Sequence, residues 1–165
     1  MKLMASVRIY SCFAALLLLA CHCAASDSPM DRATLRGLKA VKVAVDPPPS
    51  EMEREGLDRE HLRARIEQKL RDAGIAIDND AVEFLGLSIS TARAGRKNPL
   101  SLMVGLGLYQ VVTLGRDKTA KTVAETWGEQ KIMAPPSRGL GDAASSTVDG
   151  LADDFVKAYR SVNPQ

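Results

Sequence analysis

Three pairs of acids stand close enough along this chain to suggest two-carboxylate chemistry: Asp153 with Asp154, Asp78 with Asp80, and Glu125 with Glu129. Glycoside hydrolysis needs two carboxyl groups flanking one bond, one of them held protonated by burial. Asp153 and Asp154 fall on the polar side of a helical pattern, and Asp78 and Asp80 flank Asn79 as an ordinary turn, so solvation accounts for both pairs. A catalytic metal needs about three converging ligands, and beyond residue 25 the chain has one histidine, His61. Its neighbours Asp58 and Glu60 suit the first turn of a helix, where negative charge is favoured by the dipole. Serine catalysis would need His61 as base, and no Gly-x-Ser-x-Gly elbow occurs. The Gly105-Leu106-Gly107 stretch lies inside a strand pattern without the following helix of a phosphate loop. The sequence therefore predicts no catalytic residue, no metal and no cofactor.

Binding is the better-supported chemistry. Gly86, Ser88, Ser90, Ser101, Gly105 and Gly107 fall on alternate positions of two strand patterns and would leave a shallow floor of small residues. Glycine inside a strand often marks close approach by another backbone or a ligand. Trp127 and Tyr109 are the candidate binding residues over that floor, if Trp127 shares its face with Glu125, Glu129 and Lys131. The competing reading turns Trp127 into the core or lays it over the glycines as a cover. A one-residue slip in register decides between them.

The first 25 residues read as an export signal. Lys2 and Arg8 give a positive start, no acid precedes Asp27, and Ile9–Ala20 is an apolar run of about twelve residues, too short to span a bilayer. Two cleavage readings stand side by side. Leu18-Leu19-Ala20-Cys21 resembles a lipobox, which would make Cys21 a lipid-attachment site and remove residues 1–20. Cys23-Ala24-Ala25 offers small residues for ordinary signal cleavage before Ser26, which would discard all three cysteines. Either way the protein is expected to be exported, as a periplasmic or outer-membrane-anchored protein.

Export changes the charge balance. Of 22 basic residues Lys2 and Arg8 leave with the signal, so 20 remain against 20 acidic ones. That neutrality removes the basic surface a nucleic-acid partner would require. The remaining cations gather in two turns, Arg93/Arg96/Lys97 and Arg116/Lys118/Lys121. These sit at opposite ends of a long strand, roughly 45 Å apart at about 3.3 Å per residue.

The elements that would position these residues follow from periodicity. Residues 26–36 read as a loose lead-in, and residues 37–165 as a single domain with an aliphatic core, since aromatics are 4% of the chain. Leu38–Val45 alternates with Val41, Val43 and Val45 on one side and ends at Pro47-Pro48-Pro49, so it reads as a strand. A charged loop runs to Gly56. Asp58 then caps a helix whose stripe is Leu62, Ile66 and Leu70, closed by Gly74. Strands follow at Ile75–Ile77, at Leu85–Ile89 and across Leu100–Leu114, then from Thr122 to Met133. Asp142 is expected to cap a last helix with Ala144, Val148, Leu151, Phe155 and Tyr159 on one stripe. The order β-α-β-β-β-β-α predicts an α+β two-layer sandwich: a mainly antiparallel sheet of four to five strands, two helices on one face, the other face open.

The stretches "LKAVKVAV", "LRARIEQKLRDAGIAI", "ETWGE" and "DDFVKAYRSVNP" resemble small exported bacterial domains of unknown function. The strand–helix–"AGI"–strand opening is also similar to periplasmic auxiliary lipoproteins of envelope transport machines. Both resemblances imply export and fold, and neither implies an activity. The expectation is a non-enzymatic binding or accessory domain of the cell envelope, its partner another envelope protein or a cell-wall component, with no transmembrane helix beyond the signal. The alternative is a small envelope hydrolase using a carboxylate pair.

Overall fold

The computed structural model describes residues 27–93, 95, 100–134 and 139–164; Cys21 and both cleavage sites lie outside them. Strand β1, Ala40–Val45, buries Val41, Val43 and Val45 on one side, as its alternation requires. Helix α3, Arg59–Asp72, starts where the Asp58 carboxylate accepts the His61 N–H at 2.7 Å and stops before Gly74, whose φ is +80°. Its stripe Leu62, Ile66 and Leu70 is fully buried. Short strand β2, Ala76–Ile77, returns parallel to β1, because a strand–helix–strand crossover brings the chain back in the same direction. Strand β3, Phe84–Ala92, also runs parallel to β1 and lies on its other side. Strands β4, Ser101–Leu114, and β5, Asp117–Met133, complete an open five-stranded sheet in the order β2-β1-β3-β4-β5, with β3, β4 and β5 antiparallel.

Helix α4, Leu140–Val162, lies beside α3 on the same face of the sheet, tied to it by the ion pairs Arg65–Asp149 and, at 2.7 Å, Lys69–Asp153. Its apolar stripe meets Leu102, Val104, Leu106 and Leu108 of β4 in one core. Phe155 and Trp127 form an edge-to-face pair within that core, with ring centroids 5.1 Å apart and planes at 69°. Such a pair adds about 0.5–1.5 kcal/mol beyond the area it buries. The fold is an α+β two-layer arrangement in which none of the described helices covers the other sheet face.

Three local expectations are corrected. The segment before Leu38 is not a loose lead-in: α1, Pro29–Ala33, is closed by a Ser28/Asp31 capping box, and Leu35 is fully buried. The charged loop contains a short helix, α2, Ser50–Glu53, whose Met52 is also in the core. Asp142 does not cap α4. Gly139, at φ +83°, occupies the N-cap, and the Glu55 carboxylate reaches from the α2–α3 connection to accept the Gly141 N–H at 2.7 Å. A distant acid does the work expected of a local one, which no sequence window contains.

Candidate functional site

The face of the sheet turned from the helices is built around Tyr109. Its ring stacks on Phe84, with centroids 4.8 Å apart and planes 8° from parallel. It lies over Gly86, where a Cβ would stand 3.0 Å from Tyr109 Cε2. The Tyr109 hydroxyl donates to Glu125 Oε2 at 2.9 Å. The Glu125 side chain in turn lies across Gly107 and Gly128, which are cross-strand partners. A Cβ on Gly107 would meet Glu125 Oε2 at 2.6 Å, and one on Gly128 would meet Glu125 Cδ at 2.8 Å. Beside them, a Cβ on Gly105 would stand 3.1 Å from Gln130 Cγ and 3.2 Å from Ser88 Oγ. The small residues are therefore seats for neighbouring side chains, and what remains above them is a groove of about 550 Å³.

A bulge in β5 makes this possible. Leu108 faces Trp127 and Tyr109 faces Glu125, leaving Thr126 as the extra residue. Without it Glu125 and Trp127 would share a face; with it Glu125 stays on the open side and Trp127 turns inward. The bulge is held from two directions: Thr126 Oγ1 donates to Gln110 Oε1 at 2.7 Å, and the Thr34 hydroxyl lies 3.2 Å from the Thr126 carbonyl. Trp127 is 1% exposed, and its Nε1–H points to Asp27 Oδ1 at 3.4 Å.

The groove is acidic. Its lining includes Asp46 and Glu125 on the open face, with Asp31 and Glu129 where it meets edge strand β5, and no lysine or arginine among the described residues. Lys42, beside Phe84 in the strand register, instead lines a separate depression with Glu60, Arg63 and Glu67. Hydrogen bonding to Glu125, together with burial and the charges of Glu125 and Asp46, pushes the Tyr109 hydroxyl above its ordinary range. Burial raises Glu129, and the nearby charges of Asp154 and Asp27 add to that rise. Asp27 is held low, first by its hydrogen bond from Arg32 and also by that from Trp127.

Of the two residues expected to bind, Tyr109 stands on the open face and Trp127 is buried against Phe155. The aromatic partner of Tyr109 is Phe84. The alternation already implied it, since Phe84 precedes Leu85 and shares its face with Gly86 and Ser88. The acid pairs do not converge. Asp153 pairs with Lys69 and Asp154 with Lys131, each at 2.7 Å, while Asp78 accepts the Asp80 N–H at 2.9 Å. Glu125 pairs in register with Tyr109 on the open face and Glu129 with Leu106 on the helix side, near Asp154, Asp27 and Arg32, so the two side chains leave β5 on opposite faces. Among the described residues, no group of three His, Cys, Asp or Glu side chains is placed to hold a metal, and no helix is long and apolar enough to cross a membrane.

No family model matches the chain, and no curated protein matches it. Solved structures similar to it include a minor lipoprotein from Acinetobacter baumannii, at 10% identity over 76% of this chain and 95% of that one, with a TM-score of 0.38. Another is a PelC dodecamer from Paraburkholderia phytofirmans, at 19% identity over 75% of this chain and 89% of that one, with a TM-score of 0.42. The class defined by this chain's own geometry is an α+β sandwich with a helix-covered core face and an acidic, glycine-floored open face. No likeness at these scores narrows that class to a particular family.

Proposed function

We propose that this is an exported, non-enzymatic binding or accessory domain of the cell envelope, which receives a partner in the groove on its open sheet face. The observation that carries the reading is the Phe84–Tyr109–Glu125 assembly above the paired Gly107 and Gly128. Three polar or aromatic side chains are held in place by stacking, one hydrogen bond and the absence of two Cβ atoms. A groove already organised in this way loses little conformational freedom when occupied. Its acids favour a partner that presents cations. In this reading residues 1–25, or 1–20 with a lipid on Cys21, direct the chain to the periplasm or the outer membrane. A reporter fused after residue 30, active only outside the cytoplasm, tests that step; an inactive reporter with intact expression contradicts it.

The groove is tested by photo-crosslinking in living cells, with the crosslinker placed at Gln130 on the open face and at Arg59 at the start of α3. Adducts should form from Gln130 and not from Arg59. Equal yields from both, or none from Gln130, would overturn the assignment.

A further inference from the structure

The β4–β5 hairpin outruns the rest of the sheet. Phe84–Tyr109 is the last cross-strand pair between β3 and β4, and beyond it Gln110–Ala124 is a ribbon paired only with itself. No residue of this arm is buried. Val111 and Val123 face each other across it, 49% and 53% exposed. A lone two-stranded ribbon is marginally stable in water, and both of its long edges carry unpaired backbone groups. From Tyr109 to Leu114 the arm extends roughly 17 Å at about 3.3 Å per residue. It points away from its own groove, which lies on the other side of Tyr109, so it cannot enter that groove without unpairing β4 from β5.

Charge divides in the same way. The arm carries Arg116, Lys118 and Lys121 near its end, and among the described residues none of them is in an ion pair. Its acid, Asp117, is taken up by the Thr119 hydroxyl at 2.7 Å and the Thr119 N–H at 2.9 Å. At the groove, the exposed Asp46 and Glu125 likewise have no cationic partner among the described residues. The end of the arm thus offers cations, and the concave site carboxylates, that are free to pair with each other across two copies.

The geometry points to a second copy of this chain as the groove's occupant. The arm of one protomer enters the open face of another, setting Arg116, Lys118 and Lys121 against Asp46 and Glu125 and taking the Val111–Val123 pair out of water. This rests on the groove being a partner site and names the partner. A reciprocal exchange of arms gives a closed pair, and a head-to-tail arrangement gives a ring or a run of copies.

Light scattering and sedimentation of the full processed protein at low and high salt test the inference, with two charge-reversed variants. One carries Arg116→Glu, Lys118→Glu and Lys121→Glu in the arm; the other carries Asp46→Lys and Glu125→Lys in the groove. Circular dichroism checks that each is folded. Wild type should self-associate, more weakly at high salt, and each variant alone should associate at least about tenfold more weakly. An equimolar mixture of the two should recover association, since an acidic arm then meets a basic groove. A wild type that is monomeric at every concentration, or a mixture that stays monomeric, overturns the inference. So does a monomeric wild type that binds anionic vesicles through its arm, because that assigns the arm to a lipid surface. If crosslinks from Gln130 persist in the arm-reversed variant, the groove remains a partner site and only the second copy falls.

Discussion

Strand β4 presents two faces made by opposite means. On one, Leu102, Val104, Leu106 and Leu108 fill space against the helices and are 1% exposed or less. On the other, Gly105 and Gly107 remove volume so that Gln130 and Glu125 can lie down on the strand, and Tyr109 closes the row. The first face obtains its stability from burial, at about 25 cal/mol per Å² of apolar surface. The second obtains shape from omitted Cβ atoms and a single hydrogen bond of about 1 kcal/mol. Within one strand, then, alternate residues build the core and shape the open groove, and each set can be altered with little effect on the other.

The comparison breaks most visibly at Leu106. Leu106→Asp places a charge between sheet and helices, which costs several kcal/mol and should unfold the protein as read by circular dichroism. Ser101→Asp, exposed on the same strand, should change stability by less than about 0.5 kcal/mol. If both unfold the protein, the two faces are not distinct.

A smaller effect is expected at Glu129, which lies on the helix side of β5. Burial and the charges of Asp154 and Asp27 raise it above its ordinary 4.5. The folded chain therefore keeps that proton at pH values where the unfolded chain has lost it, and stability falls as pH rises through the window above 4.5. Glu129→Gln should be more stable than wild type at neutral pH and should lack that slope. Thermal melts from pH 4 to 8 measure it, and parallel curves for the two proteins would contradict the assignment.

The smallest effect sharpens the open face. Glu125→Gln removes the charged acceptor of the Tyr109 hydroxyl, so Tyr109 should ionise closer to the ordinary tyrosine value of 10.0. An ultraviolet tyrosinate titration corrected with Tyr109→Phe follows it. Fold stability should change by no more than about 1 kcal/mol.

How far the sequence could be read depended on whether a feature was periodic or a single exception. The burial of Val41/Val43/Val45, Leu62/Ile66/Leu70 and Leu102/Val104/Leu106/Leu108 follows from repeats of two or of about 3.6 residues. The alternation of β4 continues to Leu114, but its even positions beyond Leu108 are only half-buried, because there β4 has left β3 and pairs with β5 alone. The bulge at Thr126 is one inserted residue in an otherwise alternating strand. It sends Glu125 and Trp127 to opposite faces, where unbroken alternation places them together. Its supports, Gln110 and Thr34, are remote in sequence, as is Glu55 from the helix end it satisfies. The parallel placement of β1 between β2 and β3 likewise depends on a crossover, and local turns alone suggested a more antiparallel sheet. Tyr109 was legible as an open-face residue because its positions alternate with the leucines. Its partners were less so, because Glu125 depends on the bulge.

The central claim is that the open face is occupied where the protein works. Carboxyl-specific covalent labelling, read by mass spectrometry, tests this most directly when intact envelopes are compared with the dilute purified protein. Glu125 and Asp46 should be protected in the envelope, while Glu53 and Asp72 label equally in both samples. Equal labelling of Glu125 and Asp46 in the two samples would contradict the claim.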